Sequence, residues 1–193
     1  TTLWIKERIS AETVLVLVPS LSVLSQTLRE WTFACNIPFD VLCVCSDQSV
    51  GKRHKNDEII QSIKNVHFPV TSNVKEIGTF MKCSRNRVIF STYQSSSLIA
   101  TSQCDPEVPE IDLVIADEAH RCAGNIESEF SIVLDDKKIK AKRRLFTTAT
   151  PKTYSVSLKK NISERGVDVT GMDNEMLFGK EFYKLNFGQS IEL

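Results

Sequence analysis

The chain has 193 residues, of which 24 are basic and 24 acidic, so its formal net charge at pH 7 is zero. With 41% hydrophobic residues, it can build one globular domain of two or three layers. The balanced charge excludes a strongly polycationic protein, so any surface for nucleic acid would have to be a local patch. No apolar run approaches membrane-spanning length, and the N-terminus lacks the order of a signal peptide. We therefore expect a cytoplasmic protein without a membrane partner.

The cysteines are scattered, and no two of them form a Cys-x-x-Cys pair. This spacing leaves a zinc site or a disulfide framework open, but it favours reduced, buried thiols in a cytoplasmic protein. The residues concerned are Cys35, Cys43, Cys45, Cys83, Cys104 and Cys122.

The N-terminal part of the chain alternates between helical and extended patterns. Residues 1–10 have helix-like apolar spacing, and residues 14–18 form an entirely apolar run that predicts a buried strand. Ser20 follows as a good helix N-cap. Apolar side chains then recur at helical spacing at Leu21, Leu24, Leu28 and Trp31.

Further strands, helices and loops are predicted along the rest of the chain. Strands are predicted at residues 41–44, 68–71, 88–94, 113–116, 145–148 and 182–187, helices at 59–66, 74–81, 130–134 and 172–178, and loops at 46–56, 105–110, 121–126 and 161–172. Residues 135–144 carry four lysines and two arginines against two aspartates. This basic segment is predicted to face solvent, and a position beside a DNA strand is the alternative.

The apolar run at residues 113–116 is closed by Asp117 and Glu118. Such a run is typical of a strand buried on both faces of a parallel sheet, and ligands gather outside the carboxyl ends of these strands. One carboxylate there can hold a hydrated Mg²⁺ ion while the other polarises an attacking water. The alternative for a bare acidic pair is a turn after a core strand.

Asp-Glu-Ala-His at residues 117–120, directly after a hydrophobic strand, resembles the Walker B element of DEAD/DEAH-box, superfamily 2 helicase-type ATPases. The resemblance implies an α/β fold with the three-layer, mostly parallel sheet of a RecA-like P-loop NTPase lobe. It implies ATP and Mg²⁺ as cofactors, with Asp117 holding the metal and Glu118 activating water. It also implies that His120 links this site to the nucleic-acid face.

Residues 147–151, Thr-Thr-Ala-Thr-Pro, form the end of another predicted strand. Hydroxyl groups at a strand tip beside an acidic pair can hydrogen-bond to the carboxylates, and Pro151 blocks further sheet pairing. Thr-Ala-Thr-Pro resembles the family's element III, which couples hydrolysis to movement on nucleic acid. The resemblance places Thr148 and Thr150 at the nucleotide site, with Thr148 joining His120 in the link to DNA.

Two further segments resemble parts of the family that contact nucleic acid. Val-Pro-Ser at residues 18–20, continuing into a helix, is similar to the segment called Ia of restriction-associated members, which implies that Ser20 and Gln26 lie on the DNA track. The alternatives are a helix cap and a solvated helix face. Thr-Tyr-Gln-Ser at residues 92–95 is similar to a later element of that track, which implies a phosphate contact by Thr92. Tyr93 either stacks on a base or packs.

Two parts of a complete motor have no counterpart in these residues. The sequence contains no Gly-x-x-x-x-Gly-Lys-[Ser/Thr] phosphate loop and no arginine-bearing element of the family's second lobe. We therefore predict a single, partial RecA-like first lobe over residues 1–193, with residues 180–193 leading toward the second lobe. In the family, the strand at 145–148 lies between the phosphate-loop strand and the acidic strand. Without the former, an exposed apolar edge and non-physiological dimerisation are expected.

The predicted function is that of an ATP-dependent DNA helicase or translocase motor lobe, of restriction-associated type, which works with a second RecA-like lobe. RNA in place of DNA stays open on sequence grounds. The alternative comes from a different class: a catalytically inactive nucleic-acid-binding or protein-interaction module with the same fold. A phosphate loop and a second lobe encoded in the parent gene would separate the two.

Overall fold

The computed structural model describes residues 1–45, 68–83, 85–125, 128–155 and 168–185. Its strands are β1 (Thr13–Val18), β2 (Asp40–Val44), β3 (Val70–Thr71), β4 (Arg87–Thr92), β5 (Leu113–Asp117), β6 (Gly124–Asn125), β7 (Arg144–Thr147) and β8 (Val169–Thr170). Its α-helices are α1 (Thr2–Arg8), α2 (Leu21–Ala34), α3 (Val74–Cys83), α4 (Ser96–Ser102) and α5 (Glu175–Phe178). Short 3-10 helices occur at Tyr93–Ser95, Ala119–Arg121 and Glu129–Leu134.

Six of the strands form one sheet, in the order β3-β2-β4-β1-β5-β7, and every pair of neighbours in it is parallel. Parallel neighbours require crossover connections, and helices lie in the described connections from β1 to β2, from β3 to β4 and from β4 to β5. The predicted α/β fold with a mostly parallel sheet is thereby confirmed. Among the described residues, no helix is long and apolar enough to cross a bilayer.

Helices cover both faces of the sheet, which gives the three layers. Along β1, Val14, Val16 and Val18 belong to an apolar cluster with α1 and α2, whereas Leu15 and Leu17 belong to a second cluster with α3 and α4. This alternation follows from the two-residue period of a strand. Because both faces are covered, β1 reads as an unbroken apolar run, as predicted.

Helix α2 begins where its sequence pattern predicts. Ser20 is extended at φ −153°, and its Oγ accepts a hydrogen bond from the backbone N–H of Val23 at 3.4 Å. Of the apolar positions on its inner face, Leu24, Leu28 and Trp31 are buried. The helix therefore packs one stripe against the sheet and holds its N-terminal end beside the end of β1.

A small antiparallel ladder replaces parts of two predicted loops. Gly124 of β6 pairs with Thr170 of β8, and Asn125 pairs with Val169. The loops predicted at 121–126 and 161–172 are therefore wrong at these residues. Strands of two residues show no alternation, so only their tertiary partner identifies them.

Two other predictions have different outcomes. The strand predicted at 182–187 is wrong over its described part, where no strand forms and Phe182 and Tyr183 are exposed. The loop at 46–56 and the helix at 59–66 lie outside the described residues.

The basic segment at 135–144 faces solvent, as predicted, since most of its charged side chains are exposed, and some of them are also bound to the fold. Lys142 Nζ lies 2.7 Å from Asp112 Oδ1. The Arg144 guanidinium donates to the backbone oxygens of Val133 and Ile139, at 2.8 and 2.6 Å. Lys142 and Arg144 therefore anchor the segment to the fold.

Strand β7 is an edge of the sheet as the structure describes it, with β5 as its neighbour. The predicted edge position is confirmed. Its apolar side chains are covered, however, since Leu145 is buried and the Phe146 ring packs on Phe178 at 5.1 Å between centroids. Among the described residues, no strand pairs with the outer side of β7, which leaves a row of its backbone groups open there.

We expect this chain to self-associate through β7, because an open strand edge is a template for another strand. Sedimentation velocity should show concentration-dependent dimers or larger species, and hydrogen exchange at residues 144–147 should slow as they form. The opposite edge, Val70–Thr71, is an internal control, since two residues offer little to pair with. A monomer at all concentrations, or protection only at β3, would contradict this expectation.

Candidate functional site

Asp117 lies at the carboxyl end of the central strand β5, where apolar burial ends. Its Oδ1 accepts hydrogen bonds from Thr147 Oγ1 and from the backbone N–H of Glu118, both at 3.0 Å. Asp117 and Thr147 are register partners on β5 and β7, so the sheet itself brings them together. Within the described residues, both of these bonds go to Oδ1, which leaves Oδ2 available to a ligand.

Glu118 turns the chain away from the sheet. Its φ of 51° and ψ of 46° are left-handed, a conformation that is uncommon for residues with a Cβ atom. Ala119 after it is buried, so a small side chain is required there. The turn brings the side chains of Glu118 and His120 to the same end of the sheet, where both are partly exposed.

His120 is the centre of a polar cluster. Its Nδ1 lies 3.0 Å from Thr148 Oγ1, 3.2 Å from Thr150 Oγ1 and 3.2 Å from Glu118 Oε2. An unprotonated Nδ1 accepts from the threonine hydroxyls, whereas a protonated Nδ1 donates to the carboxylate or to a hydroxyl. The structure thus joins four predicted site residues, namely Glu118, His120, Thr148 and Thr150, through one ring nitrogen.

The ends of β1, β4 and β5 coincide, which places the remaining predicted residues around the same edge of the sheet. Val18 is the register partner of Thr92, and Leu17 is the partner of Ala116. Ser20 and Gln26 on the first turns of α2 are exposed. Ser20 caps the helix and Gln26 donates to Glu30 at 2.9 Å, so both alternatives for these residues, cap and solvated face, are realised in the structure.

Thr92 and Tyr93 are both buried. The Thr92 hydroxyl hydrogen-bonds to Ser95 Oγ at 3.2 Å, so a phosphate contact by Thr92 would require this segment to move. Tyr93 is 0% exposed, and its ring lies 5.7 Å from that of Phe130. Of the two roles open to Tyr93, the structure therefore favours packing over stacking on a base.

The Tyr93 hydroxyl also reaches the acidic strand, where it donates to the backbone oxygen of Asp117 at 2.7 Å. Burial, followed by its interaction with Cys122, raises the pKa of Tyr93, so the hydroxyl remains a donor. Burial likewise raises the pKa of the Cys122 thiol to about 12. Cys43, Cys45 and Cys122 are buried free thiols, as predicted, whereas Cys104 is exposed and Cys35 is half-buried, so the burial predicted for those two is wrong.

Sequence reasoning predicted one contact of this site in general terms and missed another. The predicted bond between a strand-tip hydroxyl and the acidic pair is confirmed and is made by Thr147 to Asp117. The bond from the Tyr93 hydroxyl to the Asp117 carbonyl was missed. Thr147 could have been identified as the donor by aligning the two strands in parallel, with the polar residues at their carboxyl ends at the same height in the sheet. The Tyr93 contact had no sequence signal, because it joins residues 24 positions apart across two strands that are not neighbours.

Acidic groups here do not make a complete metal site by themselves. Among the described residues, no group of three His, Cys, Asp or Glu side chains could hold a metal ion. Mg²⁺ commonly takes one or two protein carboxylates and fills its other positions with water and substrate phosphates. The donor set around Asp117 fits that kind of partial site.

Comparisons with known proteins identify the family. A family model described as "Type III restriction enzyme, res subunit" matches residues 2–153. A probable helicase of African swine fever virus, from a South African tick isolate, is 32% identical over 182 residues. The corresponding protein of a Kenyan pig isolate is 31% identical over 181 residues. Each alignment covers 93% of this chain and 17% of the viral protein.

Two solved structures are similar in fold. The nuclease-deletion mutant of the Type ISP restriction-modification enzyme LlaGI, in complex with a DNA substrate mimic, superposes with a TM-score of 0.70 at 30% identity. The ATP-dependent Type ISP restriction-modification enzyme LlaBIII bound to DNA gives 0.71 at 31% identity. Both cover 99% of this chain, which spans 17% and 13% of the respective enzymes. The chain therefore belongs to the family described as the res subunit of Type III restriction enzymes, and its fold is that of a RecA-like lobe of the superfamily 2 helicase type.

Proposed function

We propose that this chain is the first motor lobe of a larger protein that couples ATP hydrolysis to movement on DNA. The observation that carries the proposal is the convergence at one sheet edge of Asp117, Glu118 and the His120–Thr148 pair, at 3.0–3.2 Å. An acidic turn without a function would not need a polar network that joins it to the next strand. The chain spans 17% of its viral relatives, so the activity of the whole protein is part of the proposal.

In the proposed site, Asp117 would hold Mg²⁺ through its free Oδ2, while Thr147 fixes its Oδ1. Bound ATP with Mg²⁺ would supply the transferable γ-phosphoryl group and neutralise its charge. Glu118 would polarise the attacking water, since its carboxylate is partly exposed beside Asp117. His120 would contact Glu118 on one side and the element III threonines, Thr148 and Thr150, on the other. A movement of the segment that follows β7 would therefore shift the carboxylate that activates water.

The proposed DNA contact lies at the exposed N-terminal end of α2. Ser20 and Gln26 follow β1 on the same edge of the sheet, and a helix N-terminus attracts a phosphate. LlaGI and LlaBIII, which share the fold, are complexed with a DNA substrate mimic and with DNA respectively, which supports DNA as the partner. A second RecA-like lobe, to which residues 180–193 would lead, is the proposed partner for closing the nucleotide site.

The alternative is an inactive module with this fold. The 193 residues contain no phosphate loop, so nothing in them supplies the lysine and backbone N–H groups that hold ATP. The alternative predicts DNA or protein binding without nucleotide turnover in the parent protein. Turnover that depends on Glu118 in the parent would exclude it.

DNA binding by this chain alone should be weak and strongly salt-dependent, because one lobe supplies only part of a phosphate track. We expect a dissociation constant of about 1–100 µM for single-stranded DNA, with log K falling by about 0.7 per log unit of salt for each phosphate contact. Fluorescence anisotropy across a salt series measures both. Tight binding that salt leaves unchanged would indicate a module that reads bases instead.

A negative charge introduced at Ser20 tests the proposed DNA contact without removing the helix cap. Ser20→Asp keeps a good N-cap but places a negative charge where the phosphate is proposed to bind, so it should weaken binding severalfold. Thr79→Asp on α3 is the matched control, because it adds the same charge at an exposed position on the other face of the sheet. If the two substitutions weakened DNA binding equally, Ser20 would not be a DNA contact.

A further inference from the structure

One peptide unit at the end of β5 is held at both of its polar groups. Its carbonyl, from Asp117, accepts the Tyr93 hydroxyl at 2.7 Å. Its N–H, from Glu118, donates to Asp117 Oδ1 at 3.0 Å. The orientation of this peptide determines the direction in which Glu118 leaves the strand, and Glu118 has the left-handed φ of 51°. Residues with a Cβ atom adopt this conformation only when their surroundings hold it.

The Tyr93 hydroxyl is well placed to supply such support. Its ring is fully buried in the apolar cluster that contains Ile99 and Ala119, and it packs against Phe130. A ring confined in this way brings a preorganised donor to the carbonyl, since little rotamer freedom is left to lose. Tyr93 also directly follows Thr92, on the segment that resembles part of the nucleic-acid track.

We propose that Tyr93 is a positioning residue for Glu118, whose hydroxyl fixes the Asp117–Glu118 peptide and so aims the Glu118 carboxylate at the attacking water. This inference rests on the proposed function, because it assigns Tyr93 to the same hydrolytic site. It replaces base stacking as the role of Tyr93. The contact also connects the exit of β4 directly to the acidic turn, although β1 lies between the two strands in the sheet.

The test is Tyr93→Phe in the full-length parent protein, assayed for DNA-stimulated ATP hydrolysis. Removing the hydroxyl while keeping the ring should lower kcat about three- to tenfold, the factor that corresponds to one neutral hydrogen bond. The KM for ATP and the affinity for DNA should stay unchanged, since Glu118 acts on water and not in binding. If Tyr93 stacked on a base, Tyr93→Phe would leave kcat unchanged, because phenylalanine stacks as tyrosine does. Tyr93→Ala would then weaken DNA binding.

Ser102→Ala is the control for a purely structural effect. Ser102 is also buried, and its hydroxyl donates to the Ile99 backbone oxygen at 2.7 Å, away from the acidic turn. If Tyr93→Phe acted only through stability, the two variants would lose thermal stability alike and keep the wild-type kcat below their melting temperatures. That result would overturn the proposal.

A double substitution separates this inference from the function on which it rests. In a Glu118→Gln background, Tyr93→Phe should cause no further loss, because the group that it positions is already disabled. If Glu118→Gln itself leaves hydrolysis unchanged, or the parent does not hydrolyse ATP, the proposed function fails and the inference with it. If Glu118→Gln silences hydrolysis while Tyr93→Phe leaves kcat unchanged, the inference alone is overturned.

Discussion

Replacing Glu118 with glutamine in the full-length parent protein is expected to reduce ATP hydrolysis by at least about a hundredfold, the lower end of the range for loss of a general base. Glutamine keeps the size of the side chain and can still hydrogen-bond, but it cannot take a proton from water. Measured phosphate release should fall while ATP binding persists. Glu107→Gln is a matched control, since Glu107 is an acidic side chain with 80% exposure in an ion pair with Lys82.

The 193-residue chain by itself should release no phosphate above background, with or without Glu118→Gln. Phosphoryl transfer in such motors depends on positioning and on charge neutralisation, and a phosphate loop and the second lobe's arginine are not identifiable in these residues. In related NTPases an arginine finger alone contributes roughly a thousandfold or more. Robust, Glu118-dependent turnover by the chain alone would refute the proposed half-site, and a parent indifferent to Glu118 would refute the proposed function.

Asp112→Ala should destabilise the chain by about 2–3 kcal/mol, the contribution expected of hydrogen bonds to a charged group. Asp112 precedes β5, and its Oδ2 accepts from the backbone N–H groups of Thr13 and Glu12, at 2.9 and 3.1 Å. Its Oδ1 pairs with Lys142. One carboxylate thus ties together the beginnings of β1 and β5 and the basic segment. Its loss should also loosen the sheet that positions Asp117.

Urea titration measures this loss, with Glu107→Ala as the control. Glu107 also pairs with a lysine, but the pair is exposed, so its removal should cost less than about 1 kcal/mol. Equal costs for the two substitutions would contradict the proposed role of Asp112.

The effect of Asp112 should depend on pH. Burial by itself would raise the pKa of Asp112, but hydrogen bonds from Lys142 and from the two backbone N–H groups outweigh burial and lower it. A carboxyl whose pKa is lowered on folding stabilises the protein above its unfolded pKa, which is about 3.9. This contribution is lost as the pH falls through the folded pKa. The stability difference between wild type and Asp112→Asn should therefore be constant near neutrality and shrink below about pH 4. A difference that is the same at pH 7 and pH 2 would contradict this assignment.

Most of the sheet could be predicted from sequence because its strands are buried on both faces. Residues 14–18 and 113–116 are unbroken apolar runs, and the structure finds β1 and β5 there. A strand that is buried on both faces is a nearly continuous run of apolar side chains, so its signal is local. The same holds for α2, whose cap at Ser20 and inner stripe ending at Trp31 are encoded within one segment.

The candidate site was predictable as a set of residues but not as a network. Asp117, Glu118, His120 and the element III threonines stand out as polar groups that follow apolar strands. Which hydroxyl reaches which acceptor depends on strand register, and register placed Thr147 opposite Asp117. Thr148, the next residue, contacts His120 instead.

Only the tertiary structure determined the contacts between segments that carry no local sequence signal. The ladder of β6 and β8 joins two-residue strands that have no periodicity of their own. Tyr93 looks, in sequence, like an aromatic side chain at an accessible strand end. Packing buried it completely and directed its hydroxyl to Asp117, because a buried hydroxyl needs a partner and that carbonyl lies within 2.7 Å.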